Sequence, residues 1–194
     1  MLIHEGYGMT SHIWRFAEDL GRQGYTVAAP DLFFRTGGPK DGPSGHMDGD
    51  YWSAIEAITP GQLLDDVRAT VEALRGAGAT SIGITGFCLG GNTSYTAARH
   101  ADELGISASV AFYGTSIAPD LGELKCPTLL LFGDRDEFIS AEDMAAVKAF
   151  HDDILVVYPG AGHAFMRDDM PTHHPEHAAD GWTRMLAFFD EHLD

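Results

Sequence analysis

Short apolar segments alternate with amphipathic stretches along the chain, and this alternation predicts strands and helices in turn. The apolar segments predict strands at residues 2–4, 25–29, 81–85, 106–113, 127–132 and 154–158. Capping residues and apolar stripes predict helices over residues 10–20, 59–76, 92–100, 140–150 and 176–192. Such alternation favours parallel pairing, so we expect an α/β fold with a doubly wound, mainly parallel sheet flanked by helices. Ligands bind beyond the carboxyl ends of the strands in such sheets.

One long segment interrupts the alternation. Residues 31–58 are rich in Gly, Pro, Asp and aromatic side chains. A loop of this length usually covers a site, so we expect residues 31–58 to form a site-covering loop. The next helix begins at a capping box, Thr59 to Gln62, with Pro60 at its first position.

Length and charge restrict the class of protein. A chain of 194 residues can bury a substantial core, and we expect residues 1–194 to form a single domain. Twelve Lys and Arg against 29 Asp and Glu give a net charge of −17, which disfavours nucleic acid and anionic membrane surfaces as partners. With two cysteines, no leader and no apolar run that could span a bilayer, we expect a cytoplasmic protein, either a monomer or a homodimer.

The strongest chemical signal is the segment Gly86-Phe87-Cys88-Leu89-Gly90-Gly91, which lies between a predicted strand and a predicted helix. Glycines at these positions allow a sharp strand-to-helix turn, the nucleophile elbow, that exposes the central residue near a helix N-terminus. Cys88 is therefore a candidate nucleophile. A buried structural cysteine is the alternative, because free cysteines are among the most buried residues.

A candidate acid and a candidate base follow two later strands. The loop after residues 127–132 carries Asp134 and Asp136, and the loop after residues 154–158 carries His163. The chain order of nucleophile, acid and histidine is that of α/β-hydrolases. Either aspartate could orient the histidine, although Asp134 could instead bond the turn backbone. For the oxyanion hole we expect the backbone N–H groups of Leu89 and Gly6.

Several motifs in one order make the sequence similar to the dienelactone hydrolase family over nearly its whole length. The shared segments are His4-Glu5-Gly6-Tyr7-Gly8, Ala29-Pro30-Asp31-Leu32, the Cys88 segment, Phe112-Tyr113-Gly114, residues 133–139 and residues 161–167. The resemblance implies a Cys88 nucleophile, an Asp136 acid and a His163 base that cleave a small ester or lactone without a cofactor.

The resemblance also implies two residues that activate the nucleophile. Glu5 matches a glutamate that lies beside the resting thiol and exchanges between the cysteine and an arginine when substrate enters. Arg167 matches that arginine, which also faces a substrate carboxylate. A solvated turn residue is the alternative for Glu5. Among the aromatic residues, we expect Tyr113 and Trp52 to face the substrate.

The sequence departs from the family pattern in three ways, of which the last two change the expected substrate. Additional β structure usually precedes the first strand, so we expect a fold that is shortened at its N-terminus or has a misassigned start. Residues 41–58 contain no Arg or Lys but several acidic side chains, and Ala164 stands where serine is common. An anionic dienelactone would be repelled, so we expect a neutral or weakly polar ester or lactone.

Three other functions compete with hydrolysis. His173, His174, Glu176 and His177 are clustered potential metal ligands, although a solvated segment at the start of a helix explains them better. A redox role is disfavoured because Cys126 forms no Cys-x-x-Cys pair. The third is a non-catalytic binding protein that keeps the hydrolase fold.

Overall fold

The core is a five-stranded, all-parallel sheet. The computed structural model describes residues 1–36 and 50–193. Within them, the strands lie side by side in chain order: β1 (Leu2–Ile3), β2 (Gly83–Phe87), β3 (Ala108–Phe112), β4 (Thr128–Gly133) and β5 (Leu155–Tyr158). The predicted parallel α/β architecture is therefore confirmed.

Helices cover both faces of the sheet. They are α1 (Ser11–Arg22), α2 (Asp50–Glu56), α3 (Pro60–Gly76), α4 (Leu89–Arg99), α5 (Ala101–Leu104), α6 (Ala141–His151) and α7 (Pro175–His192). Successive strand residues point to opposite faces. Val110 and Phe112 therefore pack in the cluster that includes α1 and α7, while Ala111 packs in a cluster that includes α4 and α6. This two-sided burial explains why the strands are apolar without alternation.

Two helix starts, those of α3 and α6, follow the capping signals in the sequence. Thr59 and Gln62 form the reciprocal capping box that was predicted, with Pro60 as the first helical residue of α3. The Ser140 side chain accepts a hydrogen bond from the backbone N–H of Asp143 at the start of α6. These bonds satisfy N–H groups that have no partner within the helix.

One prediction about the segment before α3 is corrected, and a helix is added to the segment of another. The strand predicted at residues 25–29 is wrong: one backbone hydrogen bond, from Leu2 N–H to the Ala28 carbonyl at 2.9 Å, joins these residues to β1. With only two residues, β1 offers too short a partner for a further ladder. The loop predicted at residues 31–58 contains a helix, α2, and its residues 37–49 lie outside the described residues.

The carboxyl ends of all five strands meet at one edge of the sheet, as parallel pairing requires. Glu5, Cys88, Tyr113, Asp136 and His163 follow β1 to β5 in that order. The strand ends are aligned because Phe87 pairs with Phe112, and Phe112 pairs with Leu131. Residues that are far apart in the chain are thus brought to one site.

Candidate active site

Cys88 occupies a strained turn between β2 and α4. Its φ of 55° and ψ of −111° lie outside the regions that a side chain normally allows. A Cβ atom on Gly90 would lie 2.3 Å from the Ile3 carbonyl oxygen, and one on Gly86 would lie 2.6 Å from the Gly90 carbonyl oxygen. Only glycine therefore permits helix and strand to approach this closely.

Backbone strain is concentrated at this edge of the sheet. The three non-glycine residues with positive φ in the described part of the chain are Cys88, Tyr113 and Ala164. Tyr113 directly follows β3, and Ala164 directly follows His163. Such conformations cost about 1–3 kcal/mol each and are typical of functional sites, where the surrounding packing maintains them.

His163 pairs with only one of the two candidate aspartates. Its Nδ1 lies 2.8 Å from Oδ2 of Asp136, whose side chain is 1% exposed. The other oxygen of Asp136 accepts a hydrogen bond from the Phe138 backbone N–H. Asp134 instead accepts a hydrogen bond from the Gly160 backbone N–H at 2.6 Å, so it holds the turn after β5.

The pKa of His163 reflects burial and two partners. Burial alone would lower this pKa, but the hydrogen bonds to Asp136 and Cys88 and the charges of both groups raise it to about 10. Cys88 and His163 also line one cavity. The carboxylate is bonded to the imidazole, and the imidazole shares a cavity wall with the thiol, so Asp136, His163 and Cys88 form a row suited to moving a proton between sulfur and a bound molecule.

The two residues expected to activate the thiol contact each other. Nη1 of Arg167 donates a hydrogen bond to Oε2 of Glu5 at 2.7 Å, and their side chains are only 4% and 3% exposed. Asp169 accepts hydrogen bonds from Nε and Nη2 of the same guanidinium, at 2.9 and 2.8 Å. Glu5 is therefore paired with the arginine in this structure, and it is not a solvated turn residue.

His4 anchors the loop that carries Glu5 and Gly6. The Leu32 backbone N–H donates to Nε2 of His4 at 2.9 Å, which places the ring proton on Nδ1. Nδ1 then donates to the Glu5 carbonyl oxygen at 2.6 Å. Burial lowers the pKa of His4, which favours this neutral tautomer, although its contact with Glu5 and the charge of Asp31 oppose the shift.

A cavity of about 110 Å³ opens above the row. Cys88, His163 and both residues expected to form the oxyanion hole, Gly6 and Leu89, lie in its wall. Leu89 is the first residue of α4, where backbone N–H groups have no partner within the helix. The remaining residues that line the cavity are Glu5, Tyr7, Tyr51, Trp52, Ile55, Asn92, Thr115, Ser116, Phe138 and Ala164.

The two aromatic residues expected to face the substrate have different positions. Trp52 lines the cavity and is 48% exposed, and its ring lies 6.2 Å from that of Phe138. Tyr113 is fully buried and does not line the cavity. Its ring packs 5.1 Å from His163, and its hydroxyl donates to Glu5 at 3.4 Å. Tyr113 therefore packs against His163 and Glu5 and does not face the cavity.

Sequence reasoning did not assign three residues that the structure places at the site: Tyr7, Phe138 and Asp169. Tyr7 and Phe138 occur within motifs that carry candidate residues, so their positions were a usable signal. Asp169 follows Arg167 by two residues in an acidic pair, a pattern that predicts a solvated turn. Only the structure shows its contact with the guanidinium.

The described residues give little support to a metal site or to a redox role for Cys126. Among the described residues, no group of three or more His, Cys, Asp or Glu side chains is placed to hold a metal ion. His174 and His177 stack on each other, with ring centroids 3.7 Å apart. Both cysteines are free, and burial raises the pKa of the Cys126 thiol to about 11, which disfavours a reactive thiolate there.

The parallel sheet, the strained turn at Cys88 and the order of the strand-end residues define an α/β-hydrolase. A solved structure described as a putative dienelactone hydrolase from Klebsiella pneumoniae superposes with a TM-score of 0.81 at 30% identity, covering 98% of this chain and 85% of that one. The sequence model of the dienelactone hydrolase family matches residues 1–193, so the chain belongs to that family. It is a hydrolase of the dienelactone hydrolase type, which argues against the non-catalytic alternative.

Curated relatives support the same assignment. A Yersinia pestis protein named "Putative carboxymethylenebutenolidase" is 34% identical over 99% of this chain and 77% of its own length. An Escherichia coli protein with the same name is 31% identical over 99% of this chain and 76% of its own length.

None of the helices in the described part of the chain has the length and apolar character needed to cross a membrane.

Proposed function

We propose that the protein hydrolyses small esters or lactones through a Cys88 nucleophile and an acyl-thioester intermediate. The observation that carries the proposal is that Cys88 and His163 line one cavity, while the buried Asp136 is hydrogen-bonded to Nδ1 of the same imidazole. The contacts of the two aspartates in the loop after β4 support the proposal further. Asp136, which is bonded to the imidazole, is buried, whereas Asp134 is bonded to the Gly160 backbone N–H.

In the first half of the reaction, the Cys88 sulfur attacks the substrate carbonyl carbon while His163 holds the thiol proton. The carbonyl oxygen becomes an oxyanion, which the backbone N–H groups of Leu89 and Gly6 stabilise. When the tetrahedral intermediate collapses, the carbon–oxygen bond breaks and His163 gives its proton to the leaving alcohol oxygen. Asp136 orients the imidazole and stabilises its charge throughout.

In the second half, a water molecule attacks the thioester carbon and gives a proton to His163. The carbon–sulfur bond then breaks, the acid product leaves, and the sulfur regains its proton from the imidazolium. Glu5 and Arg167 fit the proposed activation step as a pair. Glu5 shares the cavity wall with Cys88 and is bonded to Arg167, so it could exchange one partner for the other.

We further propose that the preferred substrate is uncharged. The sequence of residues 41–58 contains acidic residues and no Lys or Arg, and Tyr7, Tyr51, Trp52 and Phe138 give the cavity an aromatic wall. The names of the curated relatives make a carboxymethylene-substituted butenolide the competing candidate.

The test is turnover of a p-nitrophenyl ester by the wild type, Cys88→Ala and the matched control Cys126→Ala. We expect Cys88→Ala to lose at least about a thousandfold in kcat/KM, because no other group in the row is a nucleophile. Cys126→Ala should retain the wild-type rate. Acylated Cys88, trapped by rapid acid quench and found by peptide mass spectrometry, would identify the thioester. Equal rates for the wild type and Cys88→Ala would contradict the proposal.

A further inference from the structure

The Arg167 guanidinium is shared between two carboxylates just behind the wall of the cavity. Asp169 takes two of its donor positions, Nε and Nη2, and Glu5 takes Nη1. The Arg167 side chain is 4% exposed, that of Glu5 is 3% exposed and that of Asp169 is 20% exposed. The three charges therefore sum to one net negative charge in a nearly closed cluster.

This cluster reaches the cavity through two of its members. Glu5 itself lines the cavity, and so does Tyr7, whose ring lies 5.2 Å from the Arg167 guanidinium carbon. Arg167 does not line the cavity, and no other Lys or Arg does so among the described residues. A bound anion would thus meet the carboxylate of Glu5 and no unpaired cation.

We propose that Asp169 is a specificity-determining, positioning residue that makes the site prefer uncharged acyl groups. This inference rests on the proposed function, because it concerns the substrate of the same site. Asp169 holds the guanidinium in a two-bond contact, the strongest geometry between arginine and a carboxylate. It thereby fixes Arg167 away from the cavity and leaves the cluster negative. A carboxylated acyl group is repelled, since charges interact strongly where water is excluded.

The adjacent residue provides a matched control. Asp168 also forms an ion pair with an arginine, Arg15, at 2.6 Å, but the side chains of this pair are 61% and 48% exposed. Asp168→Asn removes the same charge from the neighbouring position and leaves the Arg167 contacts in place. Solvent screens an exposed pair, so this variant should behave as the wild type.

The experiment compares kcat/KM for p-nitrophenyl butyrate and for mono-p-nitrophenyl succinate, a pair that differs mainly in a terminal carboxylate. We expect the wild type to prefer the butyrate. Asp169→Asn should raise the succinate-to-butyrate ratio by about ten- to a hundredfold, the range of one charge-assisted hydrogen bond. The change should appear as a lower KM for the succinate ester.

Two further variants keep the test decisive. Asp169→Glu retains the charge and should keep the wild-type preference. Asp169→Ser removes the charge and should shift the ratio as expected for Asp169→Asn, so it replaces that variant if Asp169→Asn does not fold. The inference is overturned if folded charge-removing variants leave the ratio unchanged, if Asp168→Asn shifts it equally, or if the wild type favours the succinate. A wild type that hydrolyses neither ester would instead count against the proposed function.

Discussion

Replacing Asp136 with asparagine tests whether the buried carboxylate controls His163. Asparagine has nearly the same shape, so the loop after β4 should keep its position. It carries no charge, and its amide can donate a hydrogen bond to Nδ1. The ring proton would then move to Nε2, which leaves no base facing Cys88.

The magnitude follows from the pKa of His163. A histidine with the ordinary pKa of 6.5 is about a quarter protonated at pH 7, whereas one with a pKa of about 10 is almost fully protonated. The difference corresponds to about 5 kcal/mol in favour of the imidazolium, which is what remains after Asp136 and Cys88 offset the cost of burial. If Asp136 supplies about half, its loss removes about 2–3 kcal/mol. With the tautomer change added, we expect kcat/KM to fall on the order of 10²- to 10⁴-fold.

The assay is kcat/KM for a p-nitrophenyl ester across pH, with the imidazole titration followed by NMR on the same protein. We expect the pKa of His163 to fall in Asp136→Asn, because burial continues to lower it while its main partner is lost. The control is Asp134→Asn, which removes a carboxylate from the same loop that bonds Gly160 and does not touch the imidazole. An equal or larger loss of activity in Asp134→Asn would refute the assignment of the acid.

The remaining predictions concern stability. Gly90→Ala places a Cβ atom 2.3 Å from the Ile3 carbonyl oxygen, so it should lower the free energy of unfolding in urea by about 3 kcal/mol or more. The control Gly61→Ala, whose Cβ would have no atom within 4 Å, should be neutral or stabilising by up to about 1 kcal/mol. Similar losses in both variants would show that the close approach is not the cause. Because the folded-state pKa of His163 is raised, its stabilising contribution is fully present below about pH 6.5 and is lost as pH rises through about 10. Melting temperatures from pH 6 to 11 should therefore decline more steeply in the wild type than in Asp136→Asn, and parallel curves would contradict this origin.

The sequence predicted the parts of the fold that local chemistry determines. The capping box at Thr59 and Gln62 and the cap at Ser140 placed the starts of α3 and α6, because each satisfies its own helix N-terminus. The strand predicted at residues 25–29 was wrong because pairing depends on a partner, and β1 is too short to provide one. Local β propensity cannot reveal the length of a neighbouring strand.

The same distinction applies to the candidate site. The chain order of Cys88, Asp136 and His163 could be predicted because parallel strands deliver their following loops to one edge. The choice between Asp134 and Asp136 rested on family resemblance, since two aspartates in one loop have the same local signals. The pairing of Glu5 with Arg167 spans 162 residues, and no local pattern reports which partner a buried carboxylate chooses.

The division of labour between strands and loops follows from this geometry. The groups that we propose to react, after β2, β4 and β5, are positioned by an aligned parallel ladder, in which no strand can shift without disrupting its neighbours. The residues that we propose to select the acyl group, such as Trp52 and Asp169, lie on α2 and on the segment before α7. Loops and short helices tolerate substitution far better than central strands do. Changes in substrate preference should therefore arise at positions such as Asp169, while the row of Asp136, His163 and Cys88 keeps its geometry.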